Sequence, residues 1–198
     1  MQIKLVAFDI SLFHCWKKNF EGCNDVEVID GDIFSQKADA LVSPANSFGF
    51  MDGGLDLKIS QKLGWGVEDR VRERIINDFS GEVPVGNALI VETGMDSFPY
   101  LISAPTMRVP MDVSKTVNAY LAFRAILLEI EKFNKAGNRI SSIACPGLGT
   151  GEGRMKPDQC ALQMREAYNI CMLGQRLING GLAAAVKNHQ FLLSNGRP

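Results

Sequence analysis

The chain contains only two histidines, His14 and His189, and five cysteines, Cys15, Cys23, Cys145, Cys160 and Cys171, scattered without the spacing of a metal-binding pair. Neither histidine stands beside another plausible ligand, so no metal site and no cofactor are expected. An odd set of dispersed thiols reads as reduced cysteine in a cytosol. No apolar run approaches the roughly 20 residues of a membrane span, and the N-terminus is too short and wrongly flanked for a signal peptide. The expectation is a soluble, cytoplasmic protein with no membrane partner. Excess charge of either sign is missing as well: 21 Lys and Arg balance against 22 Asp and Glu, a formal net charge of −1. That balance supplies no general field for steering toward a polyanion and disfavours nucleic acid as a partner.

What is present has the makings of one folding unit. A length of 198 residues with 46% hydrophobic content can bury a substantial core without splitting, so a single domain spanning 1–198 is expected. Short β-rich runs recur at Ile3 to Phe8, Val26 to Asp30, Ala40 to Ser43, Ala88 to Glu92, Tyr100 to Ala104 and Ile140 to Cys145. Helical patterns lie between them. Val67, Val71, Ile75 and Phe79 form an apolar stripe that reads as core packing. Ser114 is positioned to cap a helix that ends at Gly137, and Pro157 with Asp158 opens another carrying Ala161, Met164, Tyr168 and Cys171 on one face. The first strand reads as an edge strand, followed by a short helix through Phe13, Trp16 and Phe20. The stretch from Gly180 fits a last helix, a tail or an oligomer contact equally. Strands interleaved with helices predict an α/β fold, a three-layer α/β/α sandwich around a mixed, largely parallel sheet.

Two glycine loops follow strand ends, where open α/β sheets bind ligands. The first runs from Pro44-Ala45-Asn46-Ser47 to Gly53-Gly54-Leu55-Asp56, and the second is Gly147-Leu148-Gly149-Thr150-Gly151-Glu152-Gly153. Glycine lets the backbone approach a ligand closely, and successive amides there suit a phosphate. Gly31-Asp32-Ile33 supplies a third wall after the second strand, with a carboxylate able to accept from an exocyclic amine. The second loop lacks the Gly-Lys-Ser/Thr ending of a P-loop, which excludes an NTPase of that kind. It also fails the dinucleotide fingerprint, because the last glycine position falls on Glu152.

These three segments, in this order, resemble the macro domains, a family that binds ADP-ribose and its derivatives. The resemblance covers about residues 26–172 and includes the ten-residue step from Asn46 to Asp56 and the turn Pro84-Val85-Gly86-Asn87-Ala88. It implies that Asp32 and Ile33 meet the adenine, that Asn46, Gly53 and Gly54 surround the distal ribose, and that Gly149, Thr150, Gly151, Glu152 and Gly153 hold the diphosphate. Asn46 and Asp56 become the candidate catalytic pair, with Asn46 orienting a hydroxyl and Asp56 positioning or activating water. The expected partner is ADP-ribose or a derivative, including an ADP-ribosylated protein. The implied activity is hydrolysis of ADP-ribose-1''-phosphate, a mono-ADP-ribosyl protein or an O-acetyl ester.

Three departures bear on that activity. Ser43 stands where the family usually has asparagine, Met51 and Asp52 where it usually has more glycine, and Glu152-Gly153 where an aromatic residue often packs on the ribose. The first two favour the alternative of a non-catalytic ADP-ribose reader. Each polar residue also fits a local structural role: Asp32 a turn, Asn46 an Asx turn, Asp56 a helix cap. Arg108 and Arg154 fit exposed ion pairs better than phosphate contacts.

Overall fold

The computed structural model describes residues 1–194. Six strands, β1 (Gln2–Ala7), β2 (Val26–Asp30), β3 (Ala40–Ser43), β4 (Leu89–Glu92), β5 (Tyr100–Ser103) and β6 (Ser142–Cys145), form one sheet in the order β2-β1-β6-β3-β5-β4. All neighbouring pairs are parallel except β4 against β5. The helices are α1 (Ile10–Asn19), α2 (Gly54–Leu63), α3 (Gly66–Phe79), α4 (Asn118–Lys135), α5 (Pro157–Cys171) and α6 (Gly181–Leu193). No helix among the described residues is long and apolar enough to cross a membrane.

The period of two along each strand decides which layer each side chain enters. Leu5, Val42, Ile102, Ile143 and Ile90 point into a core shared with Leu12 and Trp16 of α1, Phe123 and Ile126 of α4, and Ala161 and Met164 of α5. Their neighbours Val6, Leu41, Leu101, Ala144 and Leu89 point the other way, onto Ile59 and Leu63 of α2 and Val67, Val71 and Ile75 of α3. A sheet buried on both faces needs apolar residues at both parities, which is why the strands read as short continuous runs. The three-layer sandwich expected from the sequence is the observed architecture.

Two details differ from expectation. β1 lies inside the sheet, hydrogen-bonded to both β2 and β6, and is not an edge strand. Strand order depends on non-local pairing, which no local pattern encodes. Ser114 does not cap α4. That helix follows Val117, and the Thr116 hydroxyl accepts the Asn118 amide at 3.2 Å, while the Ser114 amide donates to Asp112 at 2.8 Å. The C-terminal stretch left open by its composition forms α6.

One side chain ties the two halves of the sheet together at the start of their strands. Asp39, just before β3, accepts from the Ser141 amide at 2.7 Å, the Ser141 hydroxyl at 2.6 Å and the Ser142 amide at 2.9 Å. Partial burial alone raises its pKa, but the combined hydrogen bonds from Ser141 and Ser142 outweigh it and hold the carboxyl below its ordinary value.

Candidate functional site

The strand order brings the carboxyl ends of β1, β2, β3 and β6 to one side, and the segments leaving them enclose a cleft of about 980 Å³. All three segments singled out in the sequence line it: Gly31 to Phe34, Asn46 with Asp52 to Asp56, and Gly149 to Gly153. Asp32, Ile33, Asn46, Gly53, Gly54, Asp56, Thr150, Gly151 and Glu152 therefore share one wall-to-wall space. Thr106, Met107 and Pro110 add part of the rim.

The second glycine loop has the architecture of an anion cradle. Arg154 and Met155 return their amides to Gly151 and Gly149 at 3.0 and 2.9 Å, which closes the loop on itself. The amides of Thr150, Gly151, Glu152 and Gly153 donate to no acceptor among the described residues. Successive free N–H groups in a turn form a concavity for an anion without any cationic side chain. Gly149 has φ +74, a left-handed conformation that glycine adopts without strain.

Helix α2 adds a second set of donors. Its first backbone bond runs from the Leu57 amide to the Gly53 carbonyl at 3.1 Å, so the earlier amides have no intrahelical partner. The positive end of its dipole thus lies at the cleft wall. Only one of the glycine pair needs its missing Cβ for conformation: Gly54 has φ +56, whereas Gly53, at φ −140, is extended.

Asp56 sits in the first turn of α2 and does not cap it, since the N-cap position belongs to Gly53. Its carboxylate instead faces the end of β3, where the Ser43 hydroxyl donates to Oδ1 at 2.5 Å. The residue is 9% exposed yet lines the cleft. Burial raises its pKa to about 6, the Ser43 hydrogen bond acts in the opposite direction, and the Glu68 charge adds a smaller upward push. Replacing Ser43 with alanine removes the lowering contribution, so the Asp56 pKa is expected to rise beyond its present value. Carboxyl chemical shifts followed by NMR across the titration measure this directly, and an unmoved midpoint would show that the serine does not hold the carboxylate.

Asn46 and Asp32 are more committed to their own segments. Asn46 Oδ1 accepts from the amides of Phe48 and Phe50 at 3.1 and 3.3 Å, and Nδ2 donates to the Phe50 carbonyl at 2.8 Å. That is an Asx-type latch, and it leaves one amide hydrogen for other contacts. Asp32 accepts from the Phe34 amide at 3.0 Å at the start of a short 3-10 turn, Ile33–Ser35. Pairing beyond the strands keeps the first loop in place, with the Thr106 amide donating to Ala45 and the Ser47 amide to Arg108 at 3.0 and 3.1 Å. Arg108 itself forms an exposed bidentate pair with Glu82, at 2.6 and 2.9 Å, and does not line the cleft.

The sequence reading missed the wall contributed by the β1–α1 junction. Phe8, 92% exposed, and Asp9 with Leu12 line the cleft, and the Lys58 ammonium lies 5.6 Å from the Phe8 ring centroid. The signal that would have found them is the placement of β1 between β2 and β6. That placement sets Phe8 between the ends of β2 and β6, which lead into Gly31-Asp32 and the second glycine loop. Lys58 and Lys62 of α2 supply the cationic side chains of a cleft that also carries several carboxylates.

Comparison with known proteins identifies the family. Residues 42–164 match the Macro domain family, and the chain belongs to that family. A protein of Aquifex aeolicus is 34% identical over 142 residues, 72% of this chain and 79% of that one. Among solved structures, the macrodomain of Mycobacterium tuberculosis DarG superposes with a TM-score of 0.59 at 24% identity, covering 70% of this chain and 86% of that one. A mutant of the Oceanobacillus iheyensis macrodomain with ADPR gives 0.59 at 19% identity, covering 69% and 72%. At such identities the structural likeness speaks for the fold.

Proposed function

We propose that the cleft binds ADP-ribose and hydrolyses a small derivative of it, with ADP-ribose-1''-phosphate the first candidate and a mono-ADP-ribosylated protein or O-acetyl ester next. The observation that carries the binding half is the set of free amides at Thr150 to Gly153, which line the same cleft as the α2 N-terminus, a cleft large enough for a dinucleotide-sized ligand. A diphosphate held by backbone dipoles suits a chain of net charge −1. Asp32 and Ile33 would meet the adenine, and Gly53, Gly54 and Asp56 the distal ribose. An ADPR-bound neighbour within the family supports the same ligand class.

The hydrolytic half rests on Asp56. A carboxylate with a pKa of about 6 is largely ionised at pH 7.5 and more basic than an ordinary one, which fits a general base contributing ~10² to 10⁴ in rate. Its oxygen would take a proton from water, the water oxygen would bond to phosphorus, acyl carbon or the anomeric carbon, and the bond to the leaving group would break. Asn46 would act by holding the loop shape. The reader alternative draws on the same facts, since Ser43 is Asp56's hydrogen-bond partner and the Asn46 amide is tied to its own loop. On that reading Asp56 and Asn46 serve to hold the strand end and the loop in place, and ligand binding leads to no turnover.

Isothermal titration with ADP-ribose, with AMP and NAD as controls, tests the binding half. The expected result is one site with at least tenfold preference over AMP. At about 100 times Kd the ligand should add about 2.7 kcal/mol to stability. No heat together with an unchanged melting temperature at millimolar ligand would overturn it. Release of phosphate from ADP-ribose-1''-phosphate then separates hydrolase from reader.

A further inference from the structure

The two lysines that line the cleft, Lys58 and Lys62, lie one turn apart on the same side of α2. The Lys58 ammonium lies 5.6 Å from the centroid of the Phe8 ring, within the range of a cation–π contact. Phe8 follows β1, and β1 pairs with β2, whose exit carries Asp32 and Ile33. Ile59 and Leu63, the sequence neighbours of the two lysines, share a buried cluster with Ile33. The ammoniums therefore belong to the end of the cleft where Asp32 and Ile33 would meet adenine.

No protein group neutralises these charges. Among the described residues the ion pairs are Arg74–Asp78, Arg108–Glu82, Lys132–Glu129 and Lys135–Glu131, and neither cleft lysine takes part in one. The two carboxylates at this end are committed to backbone: Asp9 caps α1 by accepting the Leu12 amide at 3.0 Å, and Asp32 accepts the Phe34 amide at 3.0 Å. Nor does a diphosphate need the lysines, because the free amides of the second loop and the α2 N-terminus are already in place for it. Along the α2 axis Lys58 and Lys62 stand about 6 and 12 Å beyond Gly54, at about 1.5 Å per residue. Two unpaired cations beyond a diphosphate cradle, at its nucleoside end, are placed for a second phosphate on the same nucleotide.

We infer that Lys58 and Lys62 form a subsite for a phosphate carried on the adenosine ribose, so that the cleft takes a 2′- or 3′-phosphorylated ADP-ribose in preference to ADP-ribose itself. This rests on the reading of the cleft as an ADP-ribose site. Contact with the Phe8 ring holds the Lys58 ammonium in place, which lowers the entropy lost on gripping the phosphate. Lys62 approaches the same group from the next turn of the helix. An ammonium is a point donor without a fixed fork, and so suits a phosphate on either of two neighbouring ribose oxygens. The selectivity is electrostatic and acts between exposed groups, so salt weakens it.

Isothermal titration of the full chain with ADP-ribose, 2′-phospho-ADP-ribose and its 3′ isomer tests this, and the two isomers tell which oxygen carries the phosphate. The expected result in about 0.1 M salt is that one isomer binds about tenfold more tightly than ADP-ribose, the yield of one charge-assisted contact. The gain should shrink toward parity at about 1 M salt, where the Debye length is about 3 Å. It should also vanish in the Lys58→Met/Lys62→Met double variant, whose melting temperature is expected to match wild type because both side chains are exposed. ADP-ribose that binds while neither isomer binds more tightly overturns the subsite and leaves the ADP-ribose reading standing. A preference that survives in the double variant also overturns it, since the phosphate is then held elsewhere. No heat from any of the three ligands overturns both.

Discussion

Replacing Asp56 with asparagine is expected to stabilise the protein at neutral pH while abolishing turnover. The folded state holds this carboxyl at a pKa of about 6 against an ordinary 3.8. Below pH 4 both folded and unfolded forms carry the proton and burial costs little. Between pH 4 and 6 the unfolded chain releases its proton first, so stability falls by about 1.4 kcal/mol per pH unit. The accumulated cost at pH 8 is about 3 kcal/mol. Asparagine is neutral throughout and still accepts from Ser43. Urea unfolding of the two proteins should therefore agree at pH 3.5 and diverge above pH 5, with Asp56→Asn the more stable. Parallel curves would mean that the carboxylate is solvated in the folded state. Binding of ADP-ribose should survive within a few-fold, and hydrolysis should not. A reader would show the stability gain alone, so this variant separates a costly buried charge from a catalytic one.

Gly153→Ala is expected to cost at least 100-fold in ADP-ribose affinity with little loss of global stability. An added Cβ would lie 2.6 Å from the Gly149 carbonyl oxygen and 2.6 Å from Val113 Cγ2. The first of these is backbone, which cannot rotate away. The loop must open, and the Gly149–Met155 closure that gathers the four free amides is lost with it. A hydrogen bond to a charged group contributes about 1.5 to 3 kcal/mol, so losing two accounts for the predicted factor. Calorimetric titration reads the affinity, and a melting curve controls for folding. Affinity within threefold of wild type would remove the second loop from the binding site.

The elements themselves were legible because each carries its own period. Short continuous β-rich apolar runs marked the strands to within one or two residues, and the Val67, Val71, Ile75, Phe79 stripe located α3. The three cleft segments were legible because glycine next to polar residues at strand ends has few other uses. What escaped was non-local. Phe8 enters the cleft only because β1 pairs with β6, about 140 residues away. The Asp56–Ser43 contact joins a helix start to a strand end, and neither residue's neighbours announce it. Asn46 shows the opposite limit, because one asparagine serves an Asx latch and a ligand site with the same local sequence.

The position of β6 has a consequence for how the chain acquires its structure. β6 is the strand that joins β2-β1 to β3-β5-β4, and it comes last in the chain. During synthesis β1 and β2 on one side, and β3, β4 and β5 on the other, exist as two unjoined ribbons until Cys145 has emerged. At 5 to 20 residues per second that interval after Ser103 lasts roughly 2 to 8 s. The two apolar rims that will receive β6 are open throughout it. The nascent chain is then most exposed to edge-to-edge aggregation and to chaperone capture.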